Sequence, residues 1–296
     1  MQLSVIIVSW NTRELLSRCL SSLKPELAGI ESEVFLVDNH SADGSADMVA
    51  REHPWVSLIA NDENLGFAAA NNQALKLSRG QCVLLLNPDT EVGATAISHL
   101  LSFLQEHPQA GVVAPQLLNS DGTIQRSCRE FPTFLGMSFE LLGLSRLFPD
   151  REVFRRYKML DFDHNTQMQV DQPEGACLLL RRQVIDEIGM LDEGYFMLFE
   201  EVDWCYRIKK AGWQIWFTPD SQVVHHYGQS IKQVKVRMIL SSHRGLYRFW
   251  SKHYRQGRWY MDWLVWSGLM CLAYLRIGAH FLRQGFGSGK AGASAA

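Results

Sequence analysis

The chain lacks any paired-thiol motif. Its six cysteines (Cys19, Cys82, Cys128, Cys177, Cys205, Cys271) are scattered, and several sit inside apolar runs. That usage suits buried, reduced thiols in a cytosolic protein. An excess of charge of one sign is also missing: 29 Lys plus Arg against 31 Asp plus Glu gives a net charge of −2. No global field therefore favours nucleic acid. Nothing basic precedes the first apolar run, which is too short for a signal peptide, so a cytosolic location is expected. No glycine follows that run in Ser9-Trp10-Asn11-Thr12, which disfavours a nicotinamide dehydrogenase and a sugar nucleotidyltransferase. A long hydrophobic stretch is absent too. Trp263 to Leu275, between Asp262 and Arg276, contains 13 uncharged residues, too few to span a bilayer comfortably.

What is present is an ordinary globular balance, 47% hydrophobic and 20% charged over 296 residues, enough for one large domain with an appendage. Val5-Ile6-Ile7-Val8 reads as a buried strand, followed by a helical stripe of Leu15, Leu16, Cys19, Leu20 and Leu23. Val34-Phe35-Leu36-Val37 and a stretch near Val56 to Ile59 are further strands, with a helix from about Ala68 to Leu77. Strands and helices alternating at this spacing imply parallel βαβ units and a Rossmann-like α/β sheet flanked by helices. From about 116 to 173 the pattern loosens, with Phe131-Pro132-Thr133-Phe134 and the stretch to Tyr157 reading as loops and short helices. Order returns at Ala176 to Leu180 (strand), Val202 to Ala211 (helix) and Ile215 to Phe217 (strand). This divides the chain into an α/β domain over 1–230 (halves 1–115 and 116–230), a C-terminal amphipathic helical region over 231–284, and a disordered tail over 285–296.

Five constellations carry chemistry. Leu84-Leu85-Leu86 runs into Asn87-Pro88-Asp89, which stops a strand and leaves a carboxylate at its carboxyl end. In an open α/β sheet ligands bind at that edge, and hard oxygen there can hold a divalent cation against phosphate. Asp38 ends the second strand in the same way; a carboxylate only accepts hydrogen bonds, so it can read the N3–H of uracil or thymine, with Trp10 stacking on the base. An Asx-turn explains Asp38 and Asn39 just as well locally. In Asn64-Leu65-Gly66-Phe67, Gly66 permits close backbone approach, and the helix start offers N–H groups to phosphate. Capping does not explain the mid-helix Asn71 and Asn72. Finally, Glu200, Glu201 and Asp203 crowd a helix start among apolar neighbours, which raise carboxylate pKa values towards useful basicity. His225 and His226 follow a strand and can complete a metal shell or contact a diphosphate.

Taken in order, SVIIVSWNT, VDNHSADGS, ENLGFAAANN, LLLNPDT, EGACLLLRR, FEEVDWCYR, AGWQIWFTPD and HHYGQS resemble the family 2 glycosyltransferases, in particular their rhamnosyltransferase-like branch. The resemblance covers about residues 3 to 230. It implies a GT-A fold, a divalent cation (Mg²⁺ or Mn²⁺), a nucleotide-sugar donor and inversion at the anomeric carbon. Asp89 would hold the metal, with His225 near it or the diphosphate. Glu201 falls at the general base, with Glu200 or Asp203 able to share the role. Ser9, Trp10, Asn11, Asp38, Asn64, Gly66, Asn71 and Asn87 would contact the donor. Rhamnose transfer from dTDP or UDP to a saccharide or lipid-linked saccharide is the favoured expectation. A catalytically inactive sugar-nucleotide-binding scaffold is the alternative from another class.

The C-terminal region combines Arg244, Arg248, Lys252, Arg255 and Arg258 with Trp259, Tyr260, Trp263 and Trp266. That mixture suits an interfacial helix on the inner face of the cytoplasmic membrane, or a helix pair packed on the catalytic domain.

Overall fold

The computed structural model describes residues 1–133, 151–226, 234–255, 257 and 259–291. The first strand, β1 (Leu3–Ser9), is buried along its whole length because both its faces are covered. Leu3, Val5 and Ile7 point into one apolar layer, while Ile6 and Val8 point into the other. This is the period of two expected of a strand sandwiched between helices. The first layer is completed by α1 (Arg13–Glu26), α2 (Ser45–Glu52) and α4 (Ala96–Glu106). On the other face lie α3 (Phe67–Leu77), α6 (Arg182–Ile188) and α7 (Glu200–Lys210). A short α5 (Glu152–Tyr157) lies within the loosely patterned stretch; the expectation for 134–150 falls outside the described residues.

Beside β1 lie β2 (Ser32–Asp38) and β3 (Ser57–Ala60) on one side and β4 (Cys82–Leu86) on the other, all parallel. The strand order therefore reverses between β1 and β4. That switch point opens a crevice at the carboxyl ends of the strands. Beyond β4 come β11 (Cys177–Arg181), β6 (Ala110–Leu118), β12 (Gln214–His225) and β5 (Thr90–Val92). Strands β6 and β12 are parallel, but β11 is antiparallel to both its neighbours, and β5 is antiparallel to β12. The sheet is thus mixed, with most of its strands parallel, as expected from the sequence.

Two long helices follow, α8 (Lys235–His253) and α9 (Asp262–Ala291). Phe249, Trp250, Val265 and Leu269 from this pair join Tyr195, Phe199 and Val202 in a third apolar cluster. The opposite face of α9 is open: Trp263 is 77% and Leu264 62% exposed. Residues 259–282 form one stretch of 24 residues, within which an 18-residue window has a mean hydropathy of 1.3, long and apolar enough by length and composition to cross a membrane. The 13-residue reading stopped at Arg276; the helix continues past this single charge into Ile277, Phe281 and Leu282. The expected tail differs as well, since α9 runs on through 285–291. Residues 292–296, Arg258 and the end of the HHYGQS motif (227–230) lie outside the described residues.

Candidate active site

At the switch point, an open cleft of about 1070 Å³ is walled by Trp10 after β1, Asn39 after β2 and Asn87 to Asp89 after β4. Glu174 and Gly175 before β11, Glu200 and Glu201 at the start of α7, and His225 at the end of β12 close the far side. Trp10, Asn39, Asn87 to Asp89 and His225 meet here because each lies at the carboxyl end of a strand that points into the crevice, and Glu174 and Gly175 join them because the antiparallel β11 starts at the same edge.

Asp89 is placed by two pairings. Asn87 N donates to Ala176 O at 2.8 Å, and His226 N donates to Asp89 O at 2.8 Å. Antiparallel register then sets His225 opposite Thr90, so that His225 Nε2 lies 3.4 Å from Asp89 Oδ1. Both side chains are buried. Among the described residues no group of three or more His, Cys, Asp and Glu is arranged to hold a metal ion. One hard carboxylate and one imidazole nevertheless fit Mg²⁺ or Mn²⁺, which commonly complete their shells from phosphate oxygens and water.

Asp38 is only 3% exposed, yet its two carboxylate oxygens differ. Oδ2 accepts Ser41 N at 2.9 Å, as an Asx-turn requires, whereas Oδ1 has no hydrogen-bond partner. A buried acceptor left this way is costly unless a ligand supplies the donor. Trp10 faces the cleft on the adjacent strand end.

Other residues singled out from sequence hold the walls. Ser9 Oγ bonds Thr12 Oγ1 at 2.9 Å, and Asn11 Oδ1 accepts Ala42 N at 2.8 Å. Asn64 lines the cleft while its Oδ1 accepts Gly66 N at 3.0 Å. Gly66 also lines it, but the close approach it permits is to Phe196: a Cβ there would lie 2.3 Å from Phe196 O. The first N–H of α3, on Phe67, is spent on the same carbonyl. Asn71 Nδ2 donates to Phe67 O within its own helix, and Asn72 grips the backbone of Leu191 through Nδ2 and Oδ1. Neither asparagine is part of the cleft wall.

The three acids of α7 separate. Glu200 and Glu201 enter the cleft, and each has an Oε2 without a hydrogen-bond partner. Burial, and then the neighbouring Glu201, pushes the Glu200 carboxyl well above its ordinary range. Burial, reinforced by Glu174, raises Glu201 to about 7. Asp203 lies two residues on, roughly 200° around the helix from Glu201, and turns away. It is fully buried among Arg207, Lys252 and His253. Burial alone would raise its carboxyl, but hydrogen bonds from His253, Lys252 and Arg207 outweigh that and hold it low. Asp203 is therefore no candidate for proton transfer in the cleft.

Glu174 was not singled out from sequence. Its carboxyl is raised by burial, less so through the opposing effect of His225, and it lies 3.8 Å from His225 Nδ1. The signal was Gly175: a Cβ there would touch the Cβ and Cγ of Glu201 at 3.4 Å, so the Glu174-Gly175 pair lets α7 lie against the start of β11. Arg237, in the first turn of α8, was missed too. Its guanidinium stacks 3.9 Å above the Phe196 ring at the cleft mouth.

Comparison with known proteins agrees with this geometry. The chain is 28% identical over 278 residues to N-acetylglucosaminyl-diphospho-decaprenol L-rhamnosyltransferase of Mycobacterium tuberculosis, covering 90% of this chain and 88% of that protein. Its fold is similar to a mannosyltransferase from Pyrobaculum calidifontis solved with GDP-Man and Mn²⁺ (TM-score 0.57, 16% identity, 97% of this chain and 79% of that one). It is also similar to GalNAc-T7 solved with UDP, GalNAc and Mn²⁺ (TM-score 0.54, 18% identity, 76% and 44%). The model of the Glycosyl transferase family 2 matches residues 4–189. A mixed sheet with its cleft at the switch point, and acids gathered on that edge, is thus the catalytic domain of an enzyme: the chain belongs to glycosyl transferase family 2.

Proposed function

We propose that this glycosyltransferase inverts the anomeric centre, moving rhamnose from a dTDP or UDP donor to a hydroxyl of a saccharide or lipid-linked saccharide in cell-surface polysaccharide synthesis. The observation that carries this reading is the half-buried Glu201, raised to about 7, lining the same cleft as Asp89 and His225. A base with that pKa is matched to neutral pH. Glu201 takes the proton of the acceptor hydroxyl, the freed oxygen bonds the anomeric carbon, and the bond from that carbon to the diphosphate oxygen breaks. Glu200, whose carboxyl is also raised by burial and by Glu201, lies beside it on the same helix start. Asp38 Oδ1 accepts the N3–H of the base, and Trp10 stacks on the ring. Asp89 and His225 would hold a divalent cation, which supplies neutralisation of the leaving diphosphate. Positioning and electrostatics supply the rest of the rate. The open aromatic face of α9 and of the 3₁₀ turn before it (Trp259–Met261) supports a membrane-side acceptor: Trp259, Tyr260 and Trp263 are all strongly exposed, as on an interfacial helix at the inner face of the cytoplasmic membrane.

The test is calorimetric titration with dTDP, UDP and GDP, each with and without Mn²⁺, on the wild-type chain and Asp89→Ala. Mn²⁺-dependent binding of a pyrimidine diphosphate, lost in Asp89→Ala, is expected. Equal affinity with and without Mn²⁺ removes the metal role, and binding of none of the three overturns the donor assignment.

A further inference from the structure

The hairpin after β6, Asn119-Ser120-Asp121-Gly122-Thr123-Ile124-Gln125, leads into β7 (Ile124–Gln125) and reaches the cleft from behind. Its side chains form one continuous hydrogen-bonded chain that ends on His225. At the outer end, Asp121 Oδ1 accepts Thr123 Oγ1 at 2.6 Å and Thr123 N at 3.0 Å. The carboxyl of Asp121 is held below its ordinary range by these bonds, so at neutral pH it only accepts. The single hydroxyl proton of Thr123 is therefore spent on Asp121, and Thr123 Oγ1 acts as an acceptor towards Asn119.

That polarity propagates. Asn119 must present Nδ2 to Thr123 Oγ1, at 3.0 Å, which leaves its Oδ1 facing Gln125. Gln125 must then present Nε2 to Asn119 Oδ1, at 3.1 Å, which leaves its Oε1 facing His225 Nδ1 at 2.8 Å. An amide oxygen cannot donate, so Nδ1 carries the ring proton. Glu174 Oε1, 3.8 Å from the same nitrogen, favours the same choice. Reversing either amide would set oxygen against oxygen or nitrogen against nitrogen somewhere along the chain.

We propose that Gln125, oriented from Asp121 through Thr123 and Asn119, is a positioning residue that selects the Nδ1–H tautomer of the His225 imidazole and turns the lone pair of Nε2 towards Asp89. Two lone-pair-bearing atoms, His225 Nε2 and Asp89 Oδ1, then face each other across 3.4 Å. Such a pair is poised to share a cation, and a hydrogen-bonded second nitrogen orients a ligating imidazole. The tautomer follows from the hydrogen bonds alone; its use towards a cation rests on the function proposed above.

The experiment is long-range ¹H–¹⁵N correlation of the histidine rings in the full-length, metal-free protein at a pH where imidazole is neutral, with His225→Gln to assign the signal. Wild type and Gln125→Glu should show Nδ1–H with a bare Nε2, and Gln125→Leu a mixture of tautomers. Thr123→Val, at the exposed far end of the chain, should shift the same signal without touching the cleft. In parallel, Mn²⁺ affinity in the presence of dTDP, read by electron paramagnetic resonance, should fall roughly 10- to 100-fold in Gln125→Leu and stay near wild type in Gln125→Glu. An Nε2–H tautomer in the wild type, or no tautomer change in Gln125→Leu, overturns the proposal. If the tautomers behave as stated while His225→Gln leaves Mn²⁺ affinity intact, the orientation by Gln125 stands and the cation assignment alone falls.

Discussion

Asp203 Oδ1 and His253 Nε2 lie 2.7 Å apart, joining the helix that carries Glu201 to the first C-terminal helix. Lys252 and Arg207 add ion pairs to the same carboxylate. Nearby, Leu198 and Phe199 both adopt left-handed φ values, 73° and 76°, immediately before α7. Gly245 of α8 makes room for them, because a Cβ there would meet Phe199 Cδ2 at 3.0 Å and Leu198 O at 3.1 Å. The C-terminal helices thus brace a strained turn at the active site rather than hang from the domain.

Removing the acid from that junction takes the carboxylate partner from the largely buried Arg207 and His253, while Lys252 keeps its pair with Asp192. Asp203→Ala should lower unfolding free energy by about 3–5 kcal/mol, measured by urea denaturation at neutral pH. Because the folded-state carboxyl is held below its unfolded value, this stabilisation is present at neutral pH and lost as pH falls through the folded pKa. Asp203→Asn should flatten that acid limb of the stability curve. A variant as stable as wild type at pH 7 would show the junction to be idle.

Glu201→Gln keeps the shape of the cleft wall but cannot take a proton. It should bind donor diphosphate normally while kcat falls roughly 10²- to 10⁴-fold. With the carboxyl raised to about 7, wild-type kcat should climb as pH rises through that value, since only the ionised form is a base. A pH-independent kcat from mildly acid to alkaline conditions, or near-normal turnover in Glu201→Gln, would move the base elsewhere.

Asp38→Asn makes the Oδ1 position sensitive to base identity, because an amide can present its NH₂ where the carboxylate could only accept. The affinity for UDP or dTDP should fall by about tenfold or more, equivalent to roughly 1.4 kcal/mol, as read by calorimetry. An unchanged constant would reduce Asp38 to its Asx-turn with Ser41.

On the exposed face of α9, Trp263→Glu combined with Leu264→Glu replaces two open apolar groups without entering the packed face of Val265 and Leu269. The wild-type protein should co-sediment with vesicles containing anionic lipid at low salt, and the double variant should remain in the supernatant. Equal behaviour of the two would place the acceptor-side surface elsewhere.

Local pattern was enough to read much of this protein. The apolar runs Val5 to Val8, Val34 to Val37 and Leu84 to Leu86 marked strands covered on both faces, and the abrupt stop at Asn87-Pro88-Asp89 marked a strand's carboxyl edge. Those signals are local because burial of alternate side chains is written into consecutive residues. Asp38 and Asp89 were legible on this basis as strand-end carboxylates, and Glu201 as an acid at a helix start. Asn71 and Asn72 were not, since a buried amide looks the same in sequence whether it meets a ligand or, like Asn72, a loop backbone 119 residues away.

By itself, then, the sequence determined an α/β sheet with acids at its strand ends and helix starts, because periodicity and chain-breaking residues act within a few positions. The tertiary structure decided which acids share a cleft. Antiparallel pairing of β5 with β12 carried His225 to Asp89, and the setting of α7 against Gly175 brought Glu201 in beside Glu174. The rotation of the same helix turned Asp203 out towards His253, and a hairpin 100 residues upstream delivered Gln125 to His225. Register and helix rotation depend on contacts between distant segments, and no local pattern encodes them.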